Sequence, residues 1–143
     1  SICQDMPTVQ TISVHCLKNY PFRKQTSDLD VPLPADTEDS TFLEAVETAL
    51  EAMVDFSPSL VIYQAGVDPL SQDRLGKMNI SRMGLQQRNR MVFDCVDALH
   101  VPCLVLMGGG YAEPIEPTVE CLRDLFLEAA RRHHIRQESY ATF

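Results

Sequence analysis

"YQAGVDPLSQDRLG", residues 63–76, is the stretch that decides the fold, because an apolar run typical of a buried strand ends here and an aspartate and a proline follow at once. Gly66 lets neighbouring backbone approach closely, and Pro69 restricts the backbone beside Asp68. The Asp68 carboxylate should therefore be held in one place. In that position it is either a turn cap, which is the commoner role, or a ligand for a metal cation.

Apolar runs and helical periodicity on either side of this stretch predict an α/β domain with a parallel sheet and flanking helices. The strands are expected at residues 9–16, 59–64 and 101–107, and the helices at residues 40–56, 81–99 and 117–134. The second strand is almost wholly apolar, which is typical of a strand covered on both faces. Residues 17–39 contain three prolines, so we expect an irregular loop in which only residues 30–33 are extended.

The last helix has two informative features. Its periodicity predicts one buried side, formed by Val119, Leu122, Phe126 and Ala129. Residues 131–134, Arg-Arg-His-His, are interpreted as the solvated end of the helix, where cations suit the helix dipole, and not as a catalytic pair.

A polar or glycine-rich position follows each predicted strand at its carboxyl end, where open parallel sheets bind ligands. These positions are His15, Asp68 and residues 108–111, Gly-Gly-Gly-Tyr. The glycine run lacks the spacing of a phosphate-binding loop, so it indicates backbone that passes close to another group and presents Tyr111. The Tyr111 hydroxyl could donate a hydrogen bond to a developing oxyanion, or the ring could pack on the sheet edge. His15 is interpreted as a hydrogen-bonded structural residue.

Composition excludes several classes of protein. With 143 residues the chain has about the size of one domain, and its formal net charge of -8 argues against direct binding to nucleic acid or to an anionic membrane. No apolar stretch approaches the roughly 18 residues of a membrane span. The five cysteines are widely spaced and form no C-x-x-C, so we expect free thiols in an intracellular protein, cytoplasmic or nuclear.

Longer motifs carry a family resemblance. Residues 63–81, YQAGVDPLSQDRLGKMNIS, and residues 102–111, PCLVLMGGGY, resemble the zinc-dependent histone deacetylases, and the bacterial and class IV members most closely. Residues 11–34, TISVHCLKNYPFRKQTSDLDVPLP, are similar to the same family. The likeness covers nearly the whole chain and implies part of an arginase/deacetylase-type fold.

The resemblance implies the chemistry of two residues. Asp68 matches an aspartate ligand of the family's catalytic zinc. Tyr111 matches the tyrosine that hydrogen-bonds the substrate's amide carbonyl and the oxyanion formed from it. Zinc activates a water and polarises the amide, so a metal-binding carboxylate and a hydrogen-bond donor are expected to face one pocket. His15 is not a zinc ligand in this pattern.

Five further residues take roles from the resemblance. Tyr20 matches an aromatic residue of the tunnel wall beside the acyl-lysine, and Gly109 and Gly110 lie along the same channel. Ser13 and Val14 match residues that hold a structural potassium ion through a hydroxyl and a main-chain carbonyl. Zinc and potassium are therefore the implied cofactors.

The resemblance also implies which part of a domain this is. In the family, paired histidines and a D-x-H motif that supplies two zinc ligands precede the matched region, and neither precedes it here. Residues 1–143 are therefore expected to be the C-terminal portion of a single deacetylase-like domain. Because part of a sheet would then be absent, self-association through exposed edges is expected.

Three functions remain open from the sequence. The first is removal of acetyl or acyl groups from the lysine of a protein or peptide, by a zinc-dependent enzyme to which this chain supplies part of the active site. The second is a catalytically inactive half-domain that binds a partner. The third is hydrolysis of a small amide such as an acetylpolyamine, and the acidic charge suits a polyamine as well as a basic peptide.

Overall fold

The computed structural model describes residues 2–3 and 5–140, with side chains described as far as residue 137. In order, its elements are β1 (Ile12–Cys16), β2 (Leu29–Leu33), α1 (Asp39–Phe56), β3 (Val61–Gln64), α2 (Arg82–Leu99), β4 (Cys103–Leu106) and α3 (Glu116–Tyr140). The strands form two parallel pairs, β1 with β2 and β3 with β4. The predicted α/β class with parallel strands and flanking helices is confirmed, although the described strands form two sheets instead of one.

Strand β2 confirms the extended segment expected at residues 30–33 of the loop and pairs it with β1. The Thr11 amide and hydroxyl both donate to the Asp28 carboxylate at 2.7 Å, and the Leu29 amide donates to the Thr11 carbonyl, which sets the two segments side by side. Leu33 is buried against α1. The prolines suggested irregular structure, but Pro32 is tolerated in a strand at the edge of a sheet, where its missing N–H removes no ladder bond.

Strands β3 and β4 bury only one face, so the prediction of a strand covered on both faces is wrong for the described chain. Tyr63 and Val105 pack against the core, whereas Ile62, Leu104 and Leu106 are 61%, 50% and 40% exposed. Alternate residues of a strand point to opposite faces, so the three exposed side chains share one apolar surface. We call Ile62, Leu104 and Leu106 the outer sheet face.

Helix α3 turns a different side to the core than its periodicity predicted. Leu122 and Ala129 pack against the core as expected, but Val119 and Phe126 are exposed. Thr118, Cys121 and Leu125 are buried in their place. The apolar stripe of α3 is wide, and the packing partners decide which part of it is covered.

Helix α3 also continues beyond the predicted end at residues 131–134. Arg132 Nη1 donates to Asp97 Oδ2 at 2.8 Å, and Arg136 Nε donates to Asp97 Oδ1 at 2.7 Å. These bonds attach the last turns of α3 to α2, so residues 131–134 are not the end of the helix. Arg131, His133 and His134 are exposed, as expected of a solvated run. No helix in the described part of the chain is both long and apolar enough to cross a membrane.

Two apolar clusters fix the segment that follows β3. One contains Val67 and Leu70 together with Leu33 of β2 and Phe42 of α1. The other contains Ala65 with Phe93 of α2 and Leu125 of α3. Ala65 and Val67 thus pack into different clusters, and this packing fixes the backbone immediately before Asp68.

Candidate active site

The loops that follow β3 and β4 meet at the carboxyl ends of these strands. The Ala65 amide donates to the Leu106 carbonyl (3.0 Å), and the Val67 amide donates to the Gly109 carbonyl (2.7 Å). Asp68 comes next in the first loop and Tyr111 ends the second. We call residues 65–68, 73–76 and 108–111 the loop junction.

Two glycines leave room for the Asp68 carboxylate in the loop junction. A Cβ at Gly66 would lie 2.6 Å from Asp68 Oδ1, and a Cβ at Gly109 would lie 3.1 Å from the same atom. A side chain at either position would press on the carboxylate. Close approach to Asp68 therefore explains Gly109, whereas a Cβ at Gly108 would meet the backbone of Gly66.

The surroundings of Asp68 disfavour an isolated negative charge. Burial raises the pKa of its carboxyl above the usual value, its own backbone amide lowers it, and the charge of Asp73 raises it further. A bound cation would stabilise the ionised carboxylate at such a position. The backbone amides of Leu75 and Gly76 donate to Asp73, so Asp68 does not cap the turn that these residues form.

Asp73 is the buried carboxylate that organises the loop junction, with 9% of its surface exposed. Its Oδ1 accepts hydrogen bonds from the amides of Leu75 (2.8 Å) and Gly76 (2.7 Å), and its Oδ2 accepts one from the Tyr111 amide (2.6 Å). The Arg74 amide donates to the Tyr111 carbonyl at 3.2 Å. Residues 73 and 74 therefore bind both backbone polar groups of Tyr111.

The same segment also contacts Asp68. A Cβ at Gly76 would lie 1.9 Å from the Asp68 carbonyl oxygen, so the packing at this position admits only glycine. The D-R-L-G motif thus contacts Asp68 with its last residue and Tyr111 with its first. This arrangement couples the predicted metal ligand to the predicted hydrogen-bond donor through four residues of chain.

Arg88 of α2 lies behind the first loop and is only 6% exposed. Its Nη1 donates to the Gly66 carbonyl at 2.7 Å, and its guanidinium stacks over the Tyr63 ring. Asn89 Oδ1 accepts hydrogen bonds from Arg88 and from the Tyr63 hydroxyl. Burial raises the pKa of Tyr63, which keeps that hydroxyl a donor. The network fixes a carbonyl two residues before Asp68.

The two predicted tyrosines are exposed and lie on different loops. Tyr111 belongs to the loop junction itself, with 58% of its surface accessible. Tyr20 stands on the loop after β1, where its ring packs edge-on against Phe22. Lys77 Nζ donates to the Lys18 carbonyl at 3.0 Å, which attaches the Tyr20 loop to the residue next to Gly76.

Ser13 and Val14 lie in β1, outside the loop junction. Ser13 Oγ is 2.9 Å from His15 Nδ1, so His15 has the hydrogen bond expected of a structural histidine. Val14 packs on the core cluster that contains Val67. Ser13 pairs in register with Asp30, whose Oδ1 is buried and has no hydrogen-bond partner among the described residues. An unpartnered carboxylate oxygen in this place suits a cation.

The described residues contain no group of three or more His, Cys, Asp and Glu side chains that could hold a metal ion. A catalytic zinc ordinarily has three protein ligands. Asp68 and its glycine surroundings therefore fit one ligand position, and the remaining ligands would have to come from outside the described residues.

Sequence reasoning missed Asp73 and Arg88. Asp73 lies in the D-R-L-G motif, but the motif by itself does not show that the carboxylate would reach Tyr111, 38 residues away. Arg88 lies three residues after Leu85 and four before Val92, so it interrupts the apolar stripe of α2. A charged residue within an apolar stripe could have indicated a functional or structural role, because a buried charge needs a buried partner.

Similarity to known proteins extends over most of the chain and is not confined to the loop junction. The histone deacetylase domain family matches residues 1–125. An uncharacterized protein of Picosynechococcus sp. is 43% identical over 119 residues, which are 82% of this chain and 40% of that protein. Histone deacetylase 2 of Arabidopsis thaliana is 36% identical over 64% of this chain and 25% of that protein. The chain thus spans two fifths or less of the length of both relatives.

A solved structure supports the fold. The acetylpolyamine aminohydrolase from Burkholderia pseudomallei is similar to this chain with a TM-score of 0.70 and 22% sequence identity, over 84% of this chain and 37% of that one. At this identity the likeness shows the fold alone. The expectation of a partial arginase/deacetylase-type fold is therefore confirmed.

Proposed function

This chain belongs to the histone deacetylase domain family, and from that membership we propose that it supplies part of the active site of a zinc-dependent deacylase. The proposed reaction is hydrolysis of the amide of an acetyl- or acyl-lysine in a protein or peptide. The observation that carries the proposal is the loop junction, in which Gly66 and Gly109 lie against the half-buried Asp68 carboxylate and Tyr111 follows in the adjoining loop.

Asp68 is the proposed zinc ligand. The residue is half-buried, and the backbone amides of the neighbouring turn donate to Asp73, so the Asp68 carboxylate is left available to a cation. Zinc, when bound, would activate a water and polarise the substrate carbonyl. We propose that residues 1–143 form the C-terminal portion of a single deacetylase-like domain and that the other ligands come from a preceding segment of it.

Tyr111 is the proposed hydrogen-bond donor to the substrate. Its exposed hydroxyl would donate to the amide carbonyl oxygen and stabilise the negative charge that develops there. Its backbone is held at both ends by Asp73 and Arg74, so the phenol is delivered from a fixed position. Such preorganisation favours the transition state over the bound substrate.

The remaining residues are proposed to bind the substrate and a structural ion. Tyr20 would form an aromatic wall beside the acyl-lysine, with Gly109 and Gly110 lining the same channel. Ser13 and Val14 would hold potassium, and the unpartnered Oδ1 of Asp30 in register with Ser13 supports a cation near β1. All five cysteines are unpaired, which supports an intracellular location, cytoplasmic or nuclear.

The proposal is tested by a chimaera in which this chain replaces the matching segment of the Picosynechococcus relative, so that the preceding half of the domain is supplied. We expect the purified chimaera to retain zinc after dialysis and to deacetylate an acetyl-lysine peptide. Asp68→Ala should abolish turnover and lower the zinc content, because one protein ligand is lost.

The matched control is Asp55→Ala, which removes an exposed carboxylate of α1 and should change neither quantity. Full zinc content and turnover in the Asp68→Ala chimaera would refute the ligand assignment. Turnover of acetylputrescine with no turnover of the peptide would favour the small-amide alternative instead.

The outer sheet face favours a second candidate, a non-catalytic chain that acts by association. Ile62, Leu104 and Leu106 form an uncovered apolar surface on the described chain. We expect the isolated 143-residue chain to associate with itself, and the variant Ile62→Thr/Leu104→Thr to be more monomeric by sedimentation. A monomer at all concentrations would remove this candidate.

A further inference from the structure

The loop junction contains a buried carboxylate for which the proposed reaction has no chemical role. Asp73 accepts three backbone hydrogen bonds at 2.6–2.8 Å, two within its own turn and one from Tyr111. The turn alone would be satisfied by one oxygen, Oδ1. The second oxygen therefore serves the other loop, and it does so at the residue proposed to contact the substrate.

Backbone contacts, more than packing, determine where the Tyr111 phenol lies. More than half of the residue's surface is exposed, so few neighbours restrain the ring. The amide is bound by Asp73, the carbonyl by the Arg74 amide, and the next amide, that of Ala112, by Thr118 Oγ1 at 3.1 Å. A shift of this backbone would move the hydroxyl with it.

We propose that Asp73 is a positioning residue, whose carboxylate anchors the Tyr111 backbone and thereby directs the phenol at the substrate carbonyl. The inference rests on the proposed function for its chemical consequence. The anchoring bond itself belongs to the 143-residue chain and can be measured without catalysis. Asp73 touches neither substrate nor metal in this proposal and acts only through Tyr111.

The anchoring bond is tested by amide hydrogen exchange on the 143-residue chain. The Tyr111 amide should exchange slowly in the native chain although the residue is exposed. In Asp73→Asn the remaining side-chain oxygen can still accept from the Leu75 and Gly76 amides. The side-chain NH2 group would then lie opposite the Tyr111 amide, and two donors cannot form a hydrogen bond. We therefore expect exchange at Tyr111 to become roughly tenfold faster, with the Gly76 amide still protected.

The matched control for exchange is Arg74→Ala. This variant removes the exposed ion pair between Arg74 and Glu113, which also joins the two loops, but leaves the Asp73 carboxylate in place. Its Tyr111 amide should stay protected. If the native Tyr111 amide exchanges as fast as an unprotected amide, the proposal is wrong, and this measurement needs no variant to fold.

The positioning role is tested by a double-mutant cycle in the chimaera. Asp73→Asn should lower kcat by roughly 10- to 100-fold with little change in KM, as expected when a catalytic group is misplaced. In a Tyr111→Phe background the same substitution should have almost no further effect, because the hydroxyl it positions is gone. Equal losses in both backgrounds would show a merely structural role and overturn the proposal.

The two tests separate this inference from the proposed function. A chimaera without deacetylase activity would refute the function, and the exchange result would then decide alone whether Asp73 anchors Tyr111. An active chimaera in which Asp73→Asn changes neither exchange nor kcat would leave the function standing and refute the role of Asp73.

Discussion

The loop junction and the outer part of helix α3, residues 128–137, are both rich in charged side chains, yet these charges have different surroundings. In the junction and behind it, Asp73 and Arg88 are buried and bind backbone amides and carbonyls. On α3, Arg131, whose side chain is 55% exposed, binds Glu128 of the same helix. Removing a partner from a buried charge costs far more than breaking an exposed ion pair.

This comparison indicates that buried charges, and not exposed ion pairs, fix the backbone geometry of this protein. The buried Asp73 carboxylate accepts hydrogen bonds from three backbone amides and so holds two loops in a single arrangement. Any other arrangement would leave a buried polar group without a hydrogen-bond partner. The pair of Arg131 and Glu128 can exchange partners with solvent at less cost, because the Arg131 side chain is largely exposed. Substitutions in the junction should therefore have large effects on activity and stability, and substitutions on α3 small ones.

The largest effect is expected at Tyr111. In the active chimaera, Tyr111→Phe should lower kcat roughly 100-fold, since the hydroxyl acts mainly on the developing oxyanion, while KM changes little. Steady-state kinetics on an acetyl-lysine peptide would measure both. Tyr20→Phe, which keeps the ring of the proposed tunnel wall, should remain near the normal rate. A normal rate for Tyr111→Phe would remove this residue from the mechanism.

Gly76 offers the sharpest test of stability in the junction. In Gly76→Ala the new methyl would overlap the Asp68 carbonyl oxygen at 1.9 Å, so the backbone must shift. We expect a loss of about 3 kcal/mol in the free energy of unfolding, measured by urea denaturation of the 143-residue chain.

Gly109→Ala is the matched control for Gly76→Ala, because its nearest contact is the Asp68 side chain at 3.1 Å, which can move. Its loss of stability should be clearly smaller. Equal losses in the two variants would show that the backbone around Gly76 yields as easily as the Asp68 side chain does beside Gly109.

Arg88→Met tests the buried charge behind the first loop. The variant keeps much of the side-chain volume but leaves the Gly66 carbonyl and Asn89 Oδ1 without this donor. We expect a loss of about 2 kcal/mol in the free energy of unfolding. Arg90→Met on the exposed side of the same helix should change stability by less than about 0.5 kcal/mol. Similar losses for both arginines would remove the distinction between buried and exposed charge.

The smallest effect is expected at Glu128. Hydrogen bonds from Arg131, opposed by partial burial and aided by Arg132, lower the pKa of Glu128 from 4.5 to about 2. A carboxyl with a lowered pKa stabilises the folded state above its unfolded pKa, and this stabilisation is lost as the pH falls toward 2. At pH 7, Glu128→Gln should reduce stability by about 1 kcal/mol or less.

Thermal melts at several pH values would measure the Glu128 effect. The difference between Glu128→Gln and the native chain should shrink as the pH falls from 5 toward 2, and it should be smaller in 1 M salt. Glu47→Gln, at an exposed position of α1, should show neither trend. A difference that grows as the pH falls would mean that folding raises the pKa of Glu128 instead of lowering it.

Local patterns predicted most of the elements and the residues at the strand ends. β-branched and apolar runs located β1, β3 and β4, and helical periodicity located α1 and α2, because these signals depend on near neighbours in the chain. The extended segment at residues 30–33 was predicted, but its pairing with β1 was not, because the hydrogen bonds between Thr11 and Asp28 join residues 17 positions apart. The buried side of α3 was only partly predicted, because its packing partners are distant in sequence.

For the site, the sequence by itself determined that Asp68 and Tyr111 follow neighbouring strands and that glycines accompany them, since strand ends and glycine spacing are properties of the local chain. Only the tertiary structure decided that Asp73 holds Tyr111 and that Arg88 holds the carbonyl of Gly66. These contacts join residues 22 and 38 positions apart, and no local pattern encodes which distant amide a buried charge will meet.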